Sequence, residues 1–159
     1  MKHRCCMDSP IGKICIEENG EAVTHLFVVR QPSQLELSAE DSQLLHRARM
    51  QLTEYFAGAR KEFDIPLQPA GTDFQKKVWA ALREIPYGQT RCYEEIAQAV
   101  GNPKACRAVG GANNKNPILI MIPCHRVVGK DGKMVGFAAG LDRKKSLLDL
   151  ETQGKVRMD

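Results

Sequence analysis

The sequence predicts an α+β chain in two parts: a small sheet carrying one helix, followed by a helix-turn-helix unit with a wing. Three observations support this. Residues 1–30 read as a β-hairpin or small meander, residues 72–112 contain helical segments with clear start and stop signals, and residues 60–71, with Pro66, Pro69 and Gly71, read as a linker. The expected division is therefore 1–70 and 71–159. A chain of 159 residues, 43% hydrophobic and 26% charged, can bury one sizeable core or two small ones.

In the first part, Lys13-Ile14-Cys15-Ile16-Glu17-Glu18 alternates, Asn19-Gly20 is a two-residue hairpin signal, and Ala22 to Val29 is a second β-rich run. Ser38-Ala39-Glu40-Asp41 marks a helix start. Leu45, Ala48, Leu52, Tyr55 and Phe56 carry that helix to Gly58, which suits a C′ position. His3, His25 and His46 read as surface or packing residues. In the second part, Thr72-Asp73-Phe74-Gln75 is a capping box. Phe74, Val78, Ala81, Leu82 and Ile85 then share one face until Pro86, with Trp79 in the core.

Tyr93 to Val100 is a short helix closed by Gly101, and Asn102-Pro103 reads as an N-cap with proline at N1 of a helix reaching Ala112. These two helices form the helix-turn-helix. Ala108 and Ala112 suit close packing on the core, whereas Arg107, an arginine among small residues, has little packing use. Val127 to Val135 reads as two strands around Asp131-Gly132, the wing, with Lys130 near its tip. Leu141 to Glu151 is a last amphipathic helix, and residues after Gly154 form a frayed tail.

Charge is uneven along the chain. Residues 71–159 carry 15 Lys+Arg against 9 Asp+Glu, and residues 1–70 carry 8 against 10. A basic half suits phosphate, although a solvated lysine-rich face gives the same count. No apolar run approaches membrane-spanning length and no secretory leader pattern opens the chain, so a cytoplasmic protein without a membrane partner is expected. Six cysteines, irregularly placed at 5, 6, 15, 92, 106 and 124, then imply reduced thiols rather than a disulfide framework.

The stretch that carries chemistry is Asn116-Pro117-Ile118-Leu119-Ile120-Met121-Ile122-Pro123-Cys124-His125-Arg126-Val127-Val128. Its apolar run between prolines reads as a short buried strand, with Pro123 stopping it and fixing Cys124 in one orientation. A lone cysteine is more often an inert small hydrophobe than a nucleophile, and a neighbouring histidine does not overturn that.

The whole string changes the balance. Asn116-Pro117 followed by Pro123-Cys124-His125-Arg126-Val127, with Gly136-Phe137-Ala138-Ala139-Gly140 downstream, closely resembles the O6-alkylguanine-DNA alkyltransferases, also called methylated-DNA-protein-cysteine methyltransferases. The resemblance covers about Gly71 to Glu151 and is weaker but in register before that, where Asp8-Ser9-Pro10-Ile11-Gly12 is the clearest string. It implies a ribonuclease H-like first domain and a winged-helix second domain. The implied activity is stoichiometric transfer of an alkyl group from O6-alkylguanine, or O4-alkylthymine, in double-stranded DNA to Cys124, without a cofactor, by a monomer that is consumed in the reaction.

In this reading Cys124 is the nucleophile, His125 takes its proton, Glu151 orients the imidazole, and Asn116 holds the turn before the motif. Tyr93, Val127, Phe137, Ala138 and Ala139 would contact the extruded base, with the carbonyls of Cys124 and Val127 on its amino group and the Ala138 amide near O6. Arg107 would enter the base stack from the minor groove, and Tyr93, Asn102, Gln75 and Lys130 would contact the DNA backbone. Some relatives hold an N-terminal zinc, but the Cys and His positions here do not match that pattern, so no metal is expected. Cys92 stands where serine is usual, Phe137 where tyrosine is usual, and Ala139 where glycine is usual. These departures bear on substrate range. Two other readings are a sensor that binds alkylated DNA without repairing it, which would lack the cysteine, and a Cys-His-Glu hydrolase, which would turn over.

Overall fold

The computed structural model describes residues 3–31, 42–137 and 139–153. Three antiparallel strands, β1 (His3–Ser9), β2 (Gly12–Glu18) and β3 (Val23–Val28), form a meander in the order β1-β2-β3. Alternation turns Ile14 and Ile16 of β2 and Leu26 and Val28 of β3 into the core. The Asn19-Gly20 connection is longer than a two-residue hairpin. The Asn19 side chain accepts from the amides of Glu21 and Ala22, an Asx arrangement that closes a four-residue loop with Gly20 at φ 96°.

Helix α1 (Gln43–Phe56) is capped by Ser42, whose hydroxyl accepts from the Leu45 amide at 3.0 Å, and Gly58 at φ 78° ends it. Of its predicted face, Leu45, Ala48, Leu52 and Tyr55 are fully buried and Phe56 is half-buried. The expected start at Ser38 to Asp41 and the tail after Gly154 lie outside the described residues. Segment 60–71 is more than a linker. Val23 donates to the Pro66 carbonyl and Gln68 to the Val23 carbonyl, both at 2.9 Å, so it pairs with the free edge of β3.

Helix α2 (Asp73–Arg83) has the full capping box between Thr72 and Gln75. Trp79 is buried, and its indole N–H donates to the Ala112 carbonyl at 2.8 Å, tying α2 to the helix that carries Ala112. After β4 (Arg91–Cys92) come α3 (Tyr93–Ala99) and α4 (Cys106–Asn114). The second helix begins three residues later than Asn102-Pro103 predicted: Ala105 donates to the Asn102 carbonyl, so residues 102–105 form a turn ahead of it. Ala112 packs inward as expected, but Ala108 is exposed beside Arg107, because α4 buries only its Val109, Ala112 and Asn113 face.

The motif is not a strand. Only Ile118 bridges, in parallel with Leu26, and the chain then folds over itself. Met121 donates to the Leu119 carbonyl and Cys124 to the Ile122 carbonyl, both at 2.7 Å, giving consecutive γ-type turns around Ile120 and Pro123. Ile120 sits at φ 71°, a strained conformation for a β-branched residue, and it is held there by full burial. A short buried apolar run does not by itself distinguish strand from compact turn.

Cys124–Arg126 forms one 3-10 turn, followed by β5 (Val127–Val128), which pairs in parallel with β4. The expected two-stranded wing is therefore reduced to a tight turn, in which Asp131 and Gly132 both take positive φ and Gly129 donates to the Lys133 carbonyl. Helix α5 (Leu141–Gln153) closes the fold. One cysteine expectation also fails. Cys6 and Cys15 face each other across β1 and β2 with Cα atoms 4.0 Å apart and are joined as a disulfide.

Trp79 is the cross-tie of the helical half. Trp79→Ala removes a buried aromatic ring and the donor to Ala112, and is expected to cost about 3–5 kcal/mol of unfolding free energy, read from urea denaturation midpoints.

Candidate active site

Cys124 and His125 lie in the same 3-10 turn, 2% and 0% exposed. Facing them from α5, Glu151 is buried and collects donors on both oxygens. Oε2 accepts from His125 Nε2 at 2.6 Å, Tyr55 Oη at 2.5 Å and Arg126 Nη2 at 3.0 Å. Oε1 accepts from Arg126 Nε at 2.8 Å and the Gly88 amide at 3.4 Å. Burial alone would raise the carboxyl pKa, but the hydrogen bonds from His125 and Arg126, together with the Arg126 charge, outweigh it and hold it well below the usual carboxylate range.

An ionised carboxylate can only accept, so His125 carries its proton on Nε2. Nδ1, which is buried and makes no hydrogen bond among the described residues, is the ring's accepting nitrogen. Burial lowers the His125 pKa, and Glu151 opposes that shift. The imidazole is therefore neutral at physiological pH.

Burial pushes the Cys124 thiol up to about 11, partly offset by a hydrogen bond from Asn116 and by the charge of Lys144. Asn116 also braces the motif turn. Its Nδ2 donates to the Ile122 carbonyl at 2.7 Å and its Oδ1 accepts from the Ile118 amide at 2.9 Å. Lys144 of α5 is fully buried, and its Nζ donates to the carbonyls of Val135 and Gly136 at 2.7 and 3.2 Å. Burial lowers its pKa to about 8. Tyr93, at the start of α3, donates to the same Val135 carbonyl at 3.2 Å. A Cβ at Gly136, whose φ is 56°, would stand 3.1 Å from the Tyr93 hydroxyl, so this position favours glycine.

The structure thus brings Cys124, His125, Glu151 and Asn116 together, with Tyr93 over the adjoining 135–136 loop. Val127 is buried directly after the turn, and Phe137 is half-buried. Ala139 is buried and lines a cavity of about 340 Å³ with Leu26, Val28, Asn116 and Leu119. Ala138 lies outside the described residues. The Cys124 carbonyl already accepts from the Val127 amide and, at 3.4 Å, from Asn113 Nδ2. A base contacting it must therefore share or displace the Asn113 bond.

Away from the thiol, Arg107, Asn102 and Lys130 are exposed, while Gln75 is occupied in the capping box, where its Oε1 accepts from the Thr72 amide at 2.9 Å. Among the described residues, no group of three or more His, Cys, Asp or Glu is placed to hold a metal ion.

Sequence reasoning overlooked four contributors to this site: Tyr55, Arg126, Lys144 and Asn113. For Lys144 a signal existed. It stands seven residues before Glu151 and three before Leu147 on α5, so a helix that points Glu151 inward points Lys144 inward too. Tyr55 was visible as an apolar-face residue of α1, but periodicity does not show where its hydroxyl goes.

Known proteins resemble this chain along nearly its whole length. Residues 3–69 match the family model described as the 6-O-methylguanine DNA methyltransferase, ribonuclease-like domain, and residues 73–153 match that family's DNA binding domain. A methylated-DNA–protein-cysteine methyltransferase of Methanosarcina barkeri is 51% identical over 148 residues, 91% of this chain and 94% of that protein. The protein of that name from Mycobacterium leprae is 49% identical over 154 residues, 95% and 93% of the two chains. A crystal structure of Mycobacterium tuberculosis OGT in complex with DNA superposes with a TM-score of 0.88 at 46% identity, covering 96% of this chain and 94% of that one. With both domain models matched in tandem, and with relatives of about half identity aligned over more than nine-tenths of its length, the chain belongs to the 6-O-methylguanine DNA methyltransferase family.

Proposed function

We propose that this protein repairs DNA by direct reversal, moving the alkyl group of O6-alkylguanine in duplex DNA onto Cys124 in a single irreversible turnover. The observation that carries the residue assignment is the 2.6 Å bond from His125 Nε2 to Glu151, because it leaves Nδ1 as the base for the neighbouring thiol. A thiol with a pKa of about 11 is almost wholly protonated at neutral pH, so it needs that acceptor. Cys124 Sγ gives its proton to His125, directly or through a bridging water, and attacks the alkyl carbon. The bond from carbon to O6 breaks, and the guanine keeps the electron pair and takes, by way of His125 and solvent, the proton that the thiol gave up. A thioether remains. It is chemically stable and the reaction needs no cofactor, so each molecule acts once.

Cys124 is buried, so the alkylated base must leave the duplex to reach it. The exposed face of α4, formed by Arg107 with Ala108 and Gly111, supports an approach along the minor groove. Small side chains let the helix lie close, and one arginine projects to fill the gap left by the extruded nucleotide. Tyr93 would face the extruded base from α3, and exposed Asn102 and Lys130 would contact phosphates. The capping role of Gln75 leaves it the weakest backbone contact. Val127, Phe137, Ala138 and Ala139 would shape the base and alkyl pocket. We take the acting species to be a cytoplasmic monomer of two domains, 1–70 and 71–159. The presence of Cys124 favours repair over a sensor role.

Incubation with duplex DNA containing O6-methylguanine should add one methyl per protein by intact mass, mapped to Cys124. Cys124→Ala should bind DNA and take no methyl group. Turnover without an adduct, or an adduct on Cys92 or Cys106 alone, overturns the reading. Arg107→Ala should slow transfer from duplex DNA at least about tenfold while leaving reaction with free O6-methylguanine within about twofold. Equal losses on both substrates would place Arg107 in support of the fold instead.

A further inference from the structure

Tyr55 reaches the site from the other half of the chain. It lies in the last turn of α1, 0% exposed, its ring set among Phe56, Phe63 and Tyr87 with centroids 5.4, 5.3 and 6.2 Å away. Its hydroxyl donates at 2.5 Å to Glu151 Oε2, the oxygen that holds His125. A phenol in this packing needs no hydroxyl to fill its space, so the polar atom has another use. We propose that Tyr55 is a positioning residue for alkyl transfer: by sharing Glu151 Oε2 with His125, it fixes the carboxylate and limits how strongly that carboxylate raises the basicity of the imidazole. This rests on the assignment of His125 as the base.

The physical argument is competition for one oxygen. Each donor draws charge from Oε2 and weakens what is left for the others. Without the phenol, Oε2 would serve only His125 and Arg126 Nη2, and the imidazolium would gain stabilisation. The other groups facing the ring do not supply this control. Arg126 and Lys144 are cations that oppose protonation of His125, and Cys124 is a neutral thiol at rest. Tyr87, next to Arg126 and Tyr55, makes no hydrogen bond to Glu151. Both burial and the Glu151 charge raise the Tyr55 pKa, so the phenol stays protonated and can donate throughout the working range.

The sign follows directly. A neutral His125 is required, so the transfer rate rises with pH through the His125 pKa, and Tyr55→Phe should move that acid limb upward by about half a unit to one unit. On the limb the variant should be about three- to tenfold slower, and on the plateau within about twofold of the wild type. The measurement is the single-turnover methyl-transfer rate against pH in both proteins. It is paired with an NMR titration of His125 in histidine-labelled protein, which reports the coupling whether or not methyl is transferred.

A limb and a His125 titration that both move upward support the proposal. An unmoved His125 titration, or a uniform rate loss at every pH, would show that Tyr55 only packs. Absence of a methyl adduct in the wild type would instead overturn the assigned function, leaving the titration to decide the coupling alone. The ring is conserved in Tyr55→Phe and Glu151 keeps its other donors, so the variant should fold. Its thermal midpoint is the check, and if it does not fold, Tyr55→Leu, which is smaller and carries no donor, is titrated in its place.

Discussion

The carboxylate of Glu151 is the point on which the site depends. Five donor groups converge on two oxygens: the His125 ring, the Tyr55 hydroxyl, two nitrogens of Arg126 and, more distantly, the Gly88 amide. They come from the motif turn, from α1 and from the loop after α2, while Glu151 itself belongs to α5. One buried anion therefore fixes four parts of the chain. Arg126 extends the same network by donating to the Ile85 carbonyl at 2.7 Å. Removing the anion would leave a buried guanidinium uncompensated, a far larger penalty than losing a surface ion pair.

The free edge of β3 is the second constraint. It pairs at Val23 with the segment leading into α2 and at Leu26 with the start of the motif. The motif segment is thus held on one side by the sheet and on the other by Glu151, and between those anchors it has room only for a compact fold. That is the physical reason for the turns at Ile120 and Pro123. Asn116 closes the loop internally, so the cysteine is presented by a rigid turn rather than by a strand end.

Much of this was legible in the sequence where local chemistry decides the outcome. The meander, the capping box at Thr72, the inward face of α1 and the central place of Trp79 follow from periodicity and caps. The pair proposed to react, Cys124 and His125, followed from the motif's resemblance to known proteins. What periodicity missed is tertiary. Nothing local says that β5 pairs with β4 rather than returning as a wing, that segment 60–71 joins a sheet edge, or that Cys6 lies opposite Cys15. The Asn102-Pro103 signal was real but marked a turn, because Ala105 bonds back to Asn102 before the helix begins. Tyr55 and Lys144 illustrate the limit most clearly: the face each occupies could be read, but the partner of its polar end could not.

The buried charges around the thiol also favour reaction over rest. Arg126 is balanced by Glu151, whereas Lys144 is satisfied by the carbonyls of Val135 and Gly136 and forms no ion pair with a carboxylate among the described residues. The charge that acts on it is that of the Cys124 thiolate, and the two groups shift each other's pKa. At rest the thiol is neutral and the pocket carries an uncompensated positive charge, held at a cost in desolvation. As negative charge develops on sulfur and then on the departing base, that cost is offset by attraction within a dry site where dipoles and charges are already in place. The loop that Lys144 holds is the one Tyr93 also touches. In the proposed reading, where Tyr93 faces the extruded base, binding of the base and stabilisation of the developing charge draw on the same fixed cation.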